Sequence, residues 1–300
     1  MQEQMNDLSH ENTSGAAAQD LTAMNGRPKK VRVAGNTATN TLKLIALLFM
    51  VIDHVGAVFF TLKTGHYIPE MRMFGRIAFP LYAWCITVGA EYTHDIGKYL
   101  LRILIIGAIA QPVYAWAMHH EWYQFNIYAT LFLGLIGIAG IKLNRFGSRY
   151  WMPLLAIMIS LVVKVDYGFQ GVLFIMFLYM CRERRSAIVA VMAAYCLFWG
   201  YTSGSQLTEV FGITLPKKLD WLPYGQYLLN SIFKMQACAA FAIPFMVLRM
   251  KNIRYPKRSV RITLMGHTFS IPVDVGKIIG YAAYPGHLLI IGIIRARMGI

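Results

Sequence analysis

Apolar residues along this chain gather into runs near the length of about 20 residues that a helix needs to cross a hydrocarbon core of about 30 Å. Such runs occupy Leu42–Leu62, Phe74–Glu91, Tyr99–Met118, Asn126–Ile141, Ser186–Tyr201, Gln226–Leu248 and Gly276–Ile294. Two shorter stretches, Trp151–Val163 and Gly168–Cys181, lie between the fourth and fifth runs and are marginal in length for spanning. All the predicted elements are helices, so the fold class expected is all-α, a polytopic helix bundle in a membrane.

Composition leads to the same class by a separate route. Of 300 residues 57% are hydrophobic and only 14% charged, with a mean hydropathy of +0.47, whereas soluble domains run near about 25% charged. Lysine and arginine then decide the marginal pair. If both short stretches span and the amino terminus is cytoplasmic, eighteen cationic residues fall on cytoplasmic segments, clustered at 27–32, 142–149, 182–185 and 249–261, against seven on the other side. That asymmetry follows the positive-inside rule, and removing one span would put neighbouring clusters on opposite faces. About nine transmembrane helices are therefore expected. The net charge of +15 is accounted for by orientation and by attraction to anionic lipids, and it needs no nucleic acid partner.

Residues 1–40 differ from the rest. They are polar, lack an apolar signal region and end in a basic stretch, which predicts a disordered basic cytoplasmic tail ahead of a transmembrane domain over 41–300. Cys85, Cys181, Cys196 and Cys238 sit in or at the ends of apolar runs, without metal-ligand spacing, and read as small buried hydrophobes.

Candidate chemistry concentrates in the first run, where Asp53 and His54 stand side by side. Each costs roughly 2 to 3 kcal/mol at the centre of a membrane helix, so such residues persist where they are paired, hydrated or used. Adjacent residues on a helix diverge by about 100°, which argues against a local Asp-His dyad and sends Asp53 toward a cation on another helix, with Arg76 the first candidate. Lys43 lies eleven positions before His54, and that spacing returns to within about 20° of the same face, about 16 Å along the axis. An imidazole exchanges protons near neutral pH and suits general-base work, although a buried histidine can equally join two helices. Lys43 by itself also reads as a helix-end anchor.

The second run opens with Arg72 and Arg76 on one face, and Arg76 stands four residues ahead of Pro80, where a kink is expected. Arg72 reads as an outer-boundary charge, Arg76 as a deeper cation for a carboxylate or a bound anion. In the last run Lys277, Gly280, Tyr284 and His287 project onto one stripe, and Pro285-Gly286 is expected to interrupt the helix just before His287. Gln111, Asn126, Thr130, Tyr167, Gly171, Lys234 and Gln236 read as interhelical hydrogen bonders and packing positions.

Taken in order, these residues resemble the TraX family, named for the enzyme that acetylates the amino terminus of F-type pilin. The resemblance runs from about residue 42 to 294. It rests on Lys43 to Gly56, on Gly-Arg-Ile-Ala-Phe-Pro-Leu from 75 to 81, and on Lys98-Tyr99 with Arg102. It continues through Asn126-Ile127 with Thr130-Leu131, Tyr167-Gly168 with Gly171, and Lys277 with Tyr284 to Leu288. The family is in turn similar to membrane acyltransferases whose first helix carries a basic residue, ten positions, then a histidine, a spacing that Lys43 and His54 match.

The resemblance implies an enzyme of the bacterial inner membrane that moves an acetyl group from cytoplasmic acetyl-CoA to an exported acceptor, a pilin amine or an envelope glycan. It implies His54 as the catalytic histidine and Lys43 as a contact to the acyl-CoA donor; beside them Asp53, Arg76 and His287 are read from their places in the helices as further catalytic candidates, and Lys277 and Tyr284 as further donor contacts. Gly286 departs from the usual leucine at that position. A proton-coupled multi-pass transporter is the alternative, because intramembrane acids and histidines also relay protons.

Overall fold

A computed structural model describes residues 32–60, 68–197, 209–214, 234–255, 257–264 and 267–299, with the backbone alone for 257–279 and 281. Val33–Ile300 forms one compact unit. The order is α1 (Thr39–Phe59), α2 (Pro69–Gly75), α3 (Ala78–Tyr92), α4 (Ile96–Met118), α5 (Ile127–Leu143), α6 (Ser148–Val162), α7 (Gly168–Met180) and α8 (Arg185–Leu197). A small hairpin, β1 (Glu209–Val210) with β2 (Ile213–Thr214), precedes a 3-10 helix over Met235–Ala242 and α9 (Ile243–Val247). A longer hairpin, β3 (Lys257–Leu264) with β4 (His267–Asp274), leads into α10 (Val275–Met298).

Among the described residues three segments, Thr39–Phe59, Pro69–Tyr92 and Ile96–Met118, are helical, long and apolar enough to cross a membrane. Shorter apolar helices cover Ile127–Leu143, Ser148–Val162, Gly168–Met180, Arg185–Leu197 and Met235–Val247. The fifteen residues of α6 reach about 22 Å at 1.5 Å per residue, short of a full hydrocarbon core. Large apolar side chains such as Ile109, Leu154, Val162 and Ile290 face outward on α4, α6 and α10, the surface expected of helices solvated by lipid.

Central to the bundle is α3, which packs on α1, α5 and α7 and buries residues on every side, from Phe79 and Leu81 to Trp84. Gly134, Gly137 and Gly140 on α5 recur every three residues, and a side chain at any of them would collide with Ile175, Met176 or Met152. Small residues in such a stripe let neighbouring helices approach closely where no hydrophobic effect drives them together.

Hydrogen bonds sort the connecting segments into two ends. At one end Lys142 Nζ donates to the carbonyls of Ala90 (2.6 Å) and Thr93 (2.9 Å), satisfying the terminal acceptors of α3. Arg182 pairs with Glu91 at 3.1 Å and its carbonyl accepts from Ala34 N. Asn36 there is buried, donating to the Phe245 carbonyl, so residues 33–38 pack into the bundle although the sequence places them in a tail. The remaining tail residues, 1–31, lie outside the described residues. At the other end Phe125 N donates to the Lys164 carbonyl, and Arg295 Nη1 donates to the Ala117 carbonyl near the end of α4.

Several elements differ from the sequence reading. The second apolar run is two helices, α2 and α3, parted at Arg76–Ile77. Pro80 explains the break, since it cannot donate to the carbonyl four residues back and its ring crowds that carbonyl. The last helix shows the opposite outcome: α10 continues through Pro285, where one missing bond is tolerated in a helix held on both sides by α1 and α4. The segment 249–275, which connects the last two apolar runs, contains β3 and β4 paired from Lys257↔Asp274 to Leu264↔His267, although all the predicted elements are helices. Alternating Val260, Ile262 and Leu264 against Arg261 and Thr263 is the period-2 pattern of a strand.

Candidate functional site

Divergent side chains on α1 organise the site. Asp53 turns toward α2, where Arg72 Nη1 donates to Asp53 Oδ2 at 2.6 Å and to the Asp53 carbonyl at 3.2 Å. His54 turns toward α10, placing its Nδ1 2.7 Å from His287 Nε2 with the rings 5° from parallel. The absence of a local Asp-His contact agrees with the 100° turn between neighbours. The partner of Asp53 is Arg72, however, and not Arg76 as the sequence suggested. Arg76 follows the last residue of α2, where the chain leaves the helix, so the guanidinium one turn earlier meets Asp53 first.

Gly75 makes that approach possible. A Cβ there would collide with the Asp53 carboxylate. Asp53 Oδ1 and Arg76 Nε are both buried without a hydrogen-bond partner among the described residues. An unpaired acceptor and an unpaired donor of opposite charge thus border one chamber of about 100 Å³, lined also by His54, Tyr82, Tyr114, His120 and Tyr284.

The proton positions of the two histidines follow from their partners. His287 Nδ1 lies 2.8 Å from the Ala283 carbonyl, and a carbonyl only accepts, so this nitrogen carries the proton. In a neutral imidazole His287 Nε2 is then an acceptor, and the short contact requires His54 Nδ1 to donate to it. The Nε2 of His54 is left with a lone pair that has no partner among the described residues. Tyr284, 3% exposed, packs edge-on against both rings at 6.3 Å and 5.6 Å and against Tyr128 at 5.1 Å, fixing the imidazole planes.

Two further groups enter from the segment between α6 and α7. Tyr167 stacks on Phe79 at 3.8 Å, and Gly171 has no side chain to obstruct it. The preceding Asp166 is exposed as a whole residue, while its carboxyl is the part shut away from solvent where the residue lines the chamber. The protein crowded around its carboxyl raises it to about 6, against the opposing pull of the Arg76 guanidinium.

Lys43 does not share this chamber. It lines a second pocket of about 310 Å³ with Asn40, Tyr82, Tyr99, Arg102 and Tyr128. The same helical face carries Lys43 and His54, yet Tyr82 of α3 stands between their cavities. Of the expected donor contacts, Tyr284 belongs to the His54 chamber, and the side chain of Lys277 lies outside the described residues.

With this geometry in place, comparison with known proteins gives one match: the family described as TraX protein, over residues 38–295. The chain belongs to the TraX family. No curated protein and no solved structure matches it. The TraX match spans α1 to α10 and so contains every residue of both cavities.

Within that TraX span, sequence reasoning missed Tyr82, Tyr114, His120 and Asp166 and underrated Arg72. Asp166 had a signal, an acid at the end of an apolar run and next to Tyr167-Gly168. Tyr82 and Tyr114 had none, because a tyrosine in an apolar helix is ordinary. Gln111 and Asn126 proved structural: Asn126 Nδ2 donates to Gln111 Oε1 at 2.9 Å and to the Gly107 carbonyl at 2.9 Å, tying α4 to α5.

Proposed function

We propose that this TraX-family protein is a membrane-embedded acyltransferase moving an acetyl group from acetyl-CoA to an exported acceptor, a pilin amino-terminal amine or an envelope glycan. The observation that carries the reading is the histidine chain, which leaves His54 Nε2 without a partner among the described residues, on a residue that lines a chamber with Arg76, whose Nε is likewise unpaired among the described residues. The reading places the protein in the bacterial inner membrane with its amino terminus in the cytoplasm and the remaining apolar helices as further spans, about nine in all.

In this mechanism His54 takes a proton from the acceptor nitrogen or oxygen, which attacks the thioester carbonyl. The new C–N or C–O bond forms as the C–S bond breaks, and the departing thiolate takes a proton from the His54 imidazolium. Charge that builds on the carbonyl oxygen is met by the Arg76 guanidinium, whose Nε has no hydrogen-bond partner among the described residues. His287 positions: it accepts a hydrogen bond from His54 Nδ1–H and so keeps the opposite nitrogen as the lone-pair nitrogen, since the bond one ring nitrogen makes sets which of the two carries the proton. The Asp53–Arg72 pair joins α1 to α2 beside the chamber. Lys43 contacts the donor phosphates, and the basic cytoplasmic face draws the anionic donor in.

Radiolabelled acetyl-CoA supplied to the purified protein with an envelope extract tests the reading. Transfer of label to an envelope component, without solute flux, is the expected result. Uptake of solute into proteoliposomes driven by a pH gradient, with no turnover of acetyl-CoA, would favour a proton-coupled transporter instead.

A further inference from the structure

Three cavities follow one another along the face of α1, and one side chain lines them all. The Lys43 pocket comes first, then a cavity of about 20 Å³ bounded by Lys43, Leu44, Leu47, Tyr82 and Ala283, then the His54 chamber. Tyr82 is the residue common to the three linings among the described residues. It is half-buried on α3, so its ring forms a wall that faces open space on more than one side.

Charge separates the two ends of this series. Among the described residues the Lys43 pocket is lined by two cations, Lys43 and Arg102, and by no carboxylate, whereas the His54 chamber holds Asp53 and Asp166 with Arg72 and Arg76. Arg102 has its Nε on the Lys98 carbonyl at 3.1 Å and its guanidinium 5.6 Å from the centre of the Tyr99 ring. Among the described residues neither Lys43 nor Arg102 pairs with a carboxylate. A pocket of one sign recruits an anion.

Distance then restricts that anion. Lys43 and His54 are separated by about 16 Å along the helix, so a donor held at both ends carries its charged head and its reacting carbonyl far apart on a slender arm. A small acyl phosphate cannot bridge them. We propose that the Lys43 pocket holds the phosphates of a nucleotide thioester between Lys43 and Arg102, and that Tyr82 is the gate through which its arm reaches His54. This inference rests on the acyl-transfer reading and adds the route, a phosphate ligand and a gate.

The test uses the full-length protein in detergent, with CoA as the binding probe and acetyl-CoA with an envelope extract for turnover. Arg102→Gln is expected to raise the CoA Kd about tenfold, the effect of losing one charge-assisted phosphate contact. Tyr82→Trp, which narrows the passage, is expected to leave the CoA Kd within about twofold and to lower kcat at least about tenfold. Tyr82→Ala opens the passage to water, and acetyl-CoA hydrolysis without acceptor should rise.

An unchanged kcat in Tyr82→Trp overturns the gate, and so does a parallel loss of CoA binding and turnover. If Tyr82→Trp does not fold, Tyr82→Ala decides, and hydrolysis no faster than wild type overturns the proposal. An unchanged CoA Kd in Arg102→Gln removes the phosphate site. Wild-type protein that never consumes acetyl-CoA refutes acyl transfer itself, and the gate with it. Active wild-type protein indifferent to Tyr82 refutes the gate alone.

Discussion

Replacing His287 by alanine removes the acceptor of the His54 Nδ1 proton without touching the nitrogen proposed to act as base. One neutral hydrogen bond between α1 and α10 is worth about 1 kcal/mol net, so the fold should survive. The larger effect is on orientation: His54 is freed to rotate and to place its proton on either nitrogen. Losing the partner that orients a metal-bound imidazole typically costs 10- to 100-fold, and a loss of that size here would be about 1.4 to 2.7 kcal/mol of barrier. Losing the base itself costs about 100- to 10,000-fold. His287→Ala should therefore fall between wild type and His54→Ala, with kcat reduced and the acetyl-CoA KM little changed. His287→Gln, whose amide oxygen can accept the same proton, should recover part of the loss. The assay is the initial rate of CoA thiol release by purified protein over a range of acetyl-CoA concentrations, with envelope extract as acceptor. A His287→Ala rate equal to wild type would refute the positioning role. A rate as low as that of His54→Ala would make His287 a catalytic group in its own right.

Other perturbations test separate links. Asp53→Asn leaves Arg72 without its counter-charge at a site where the two side chains are 17% and 26% exposed. The expected cost is about 2 kcal/mol, below that of a fully buried pair, and a double variant with Arg72→Gln should recover part of it; strict additivity in thermal unfolding would count against the pairing. Gly75→Ala should push the Asp53 carboxylate aside and reproduce the Asp53→Asn destabilisation. Lys142→Met removes a cation that holds the last carbonyls of α3 and should lower stability by about 2 kcal/mol while leaving turnover at low temperature intact. Asp166 gives a pH signature: its carboxyl, raised to about 6 in the folded protein, binds its proton more tightly than the ordinary carboxyl near 3.9. That contribution is fully present below about pH 4 and is lost as the pH rises through about 6. Asp166→Asn should flatten the fall in thermal midpoint across that window, and an unaltered slope would contradict the assignment.

The sequence made the axial positions of this site legible and left its lateral partners open. His54, Asp53 and Lys43 lie on α1, and periodicity alone gives their angular separation, which is why the divergence of Asp53 from His54 was foreseeable. Periodicity within one helix carries no information about which neighbour comes into reach. Arg72 and Arg76 share a face in an ideal helix, and only the break at Arg76–Ile77 decides which of them meets Asp53. Pro80 announced that break, yet Pro285 produced none in α10, which continues through it between α1 and α4. The wall between the Lys43 pocket and the His54 chamber was invisible for the same reason. Tyr82 comes from α3, and nothing in its local sequence marks it.

The most direct measurement is acetyl transfer by purified wild-type protein and its His54→Ala variant, with CoA binding measured on both. The account predicts that His54→Ala binds CoA as wild type does and loses about 100- to 10,000-fold in kcat. Full acetyl-CoA-dependent transfer by His54→Ala would contradict it.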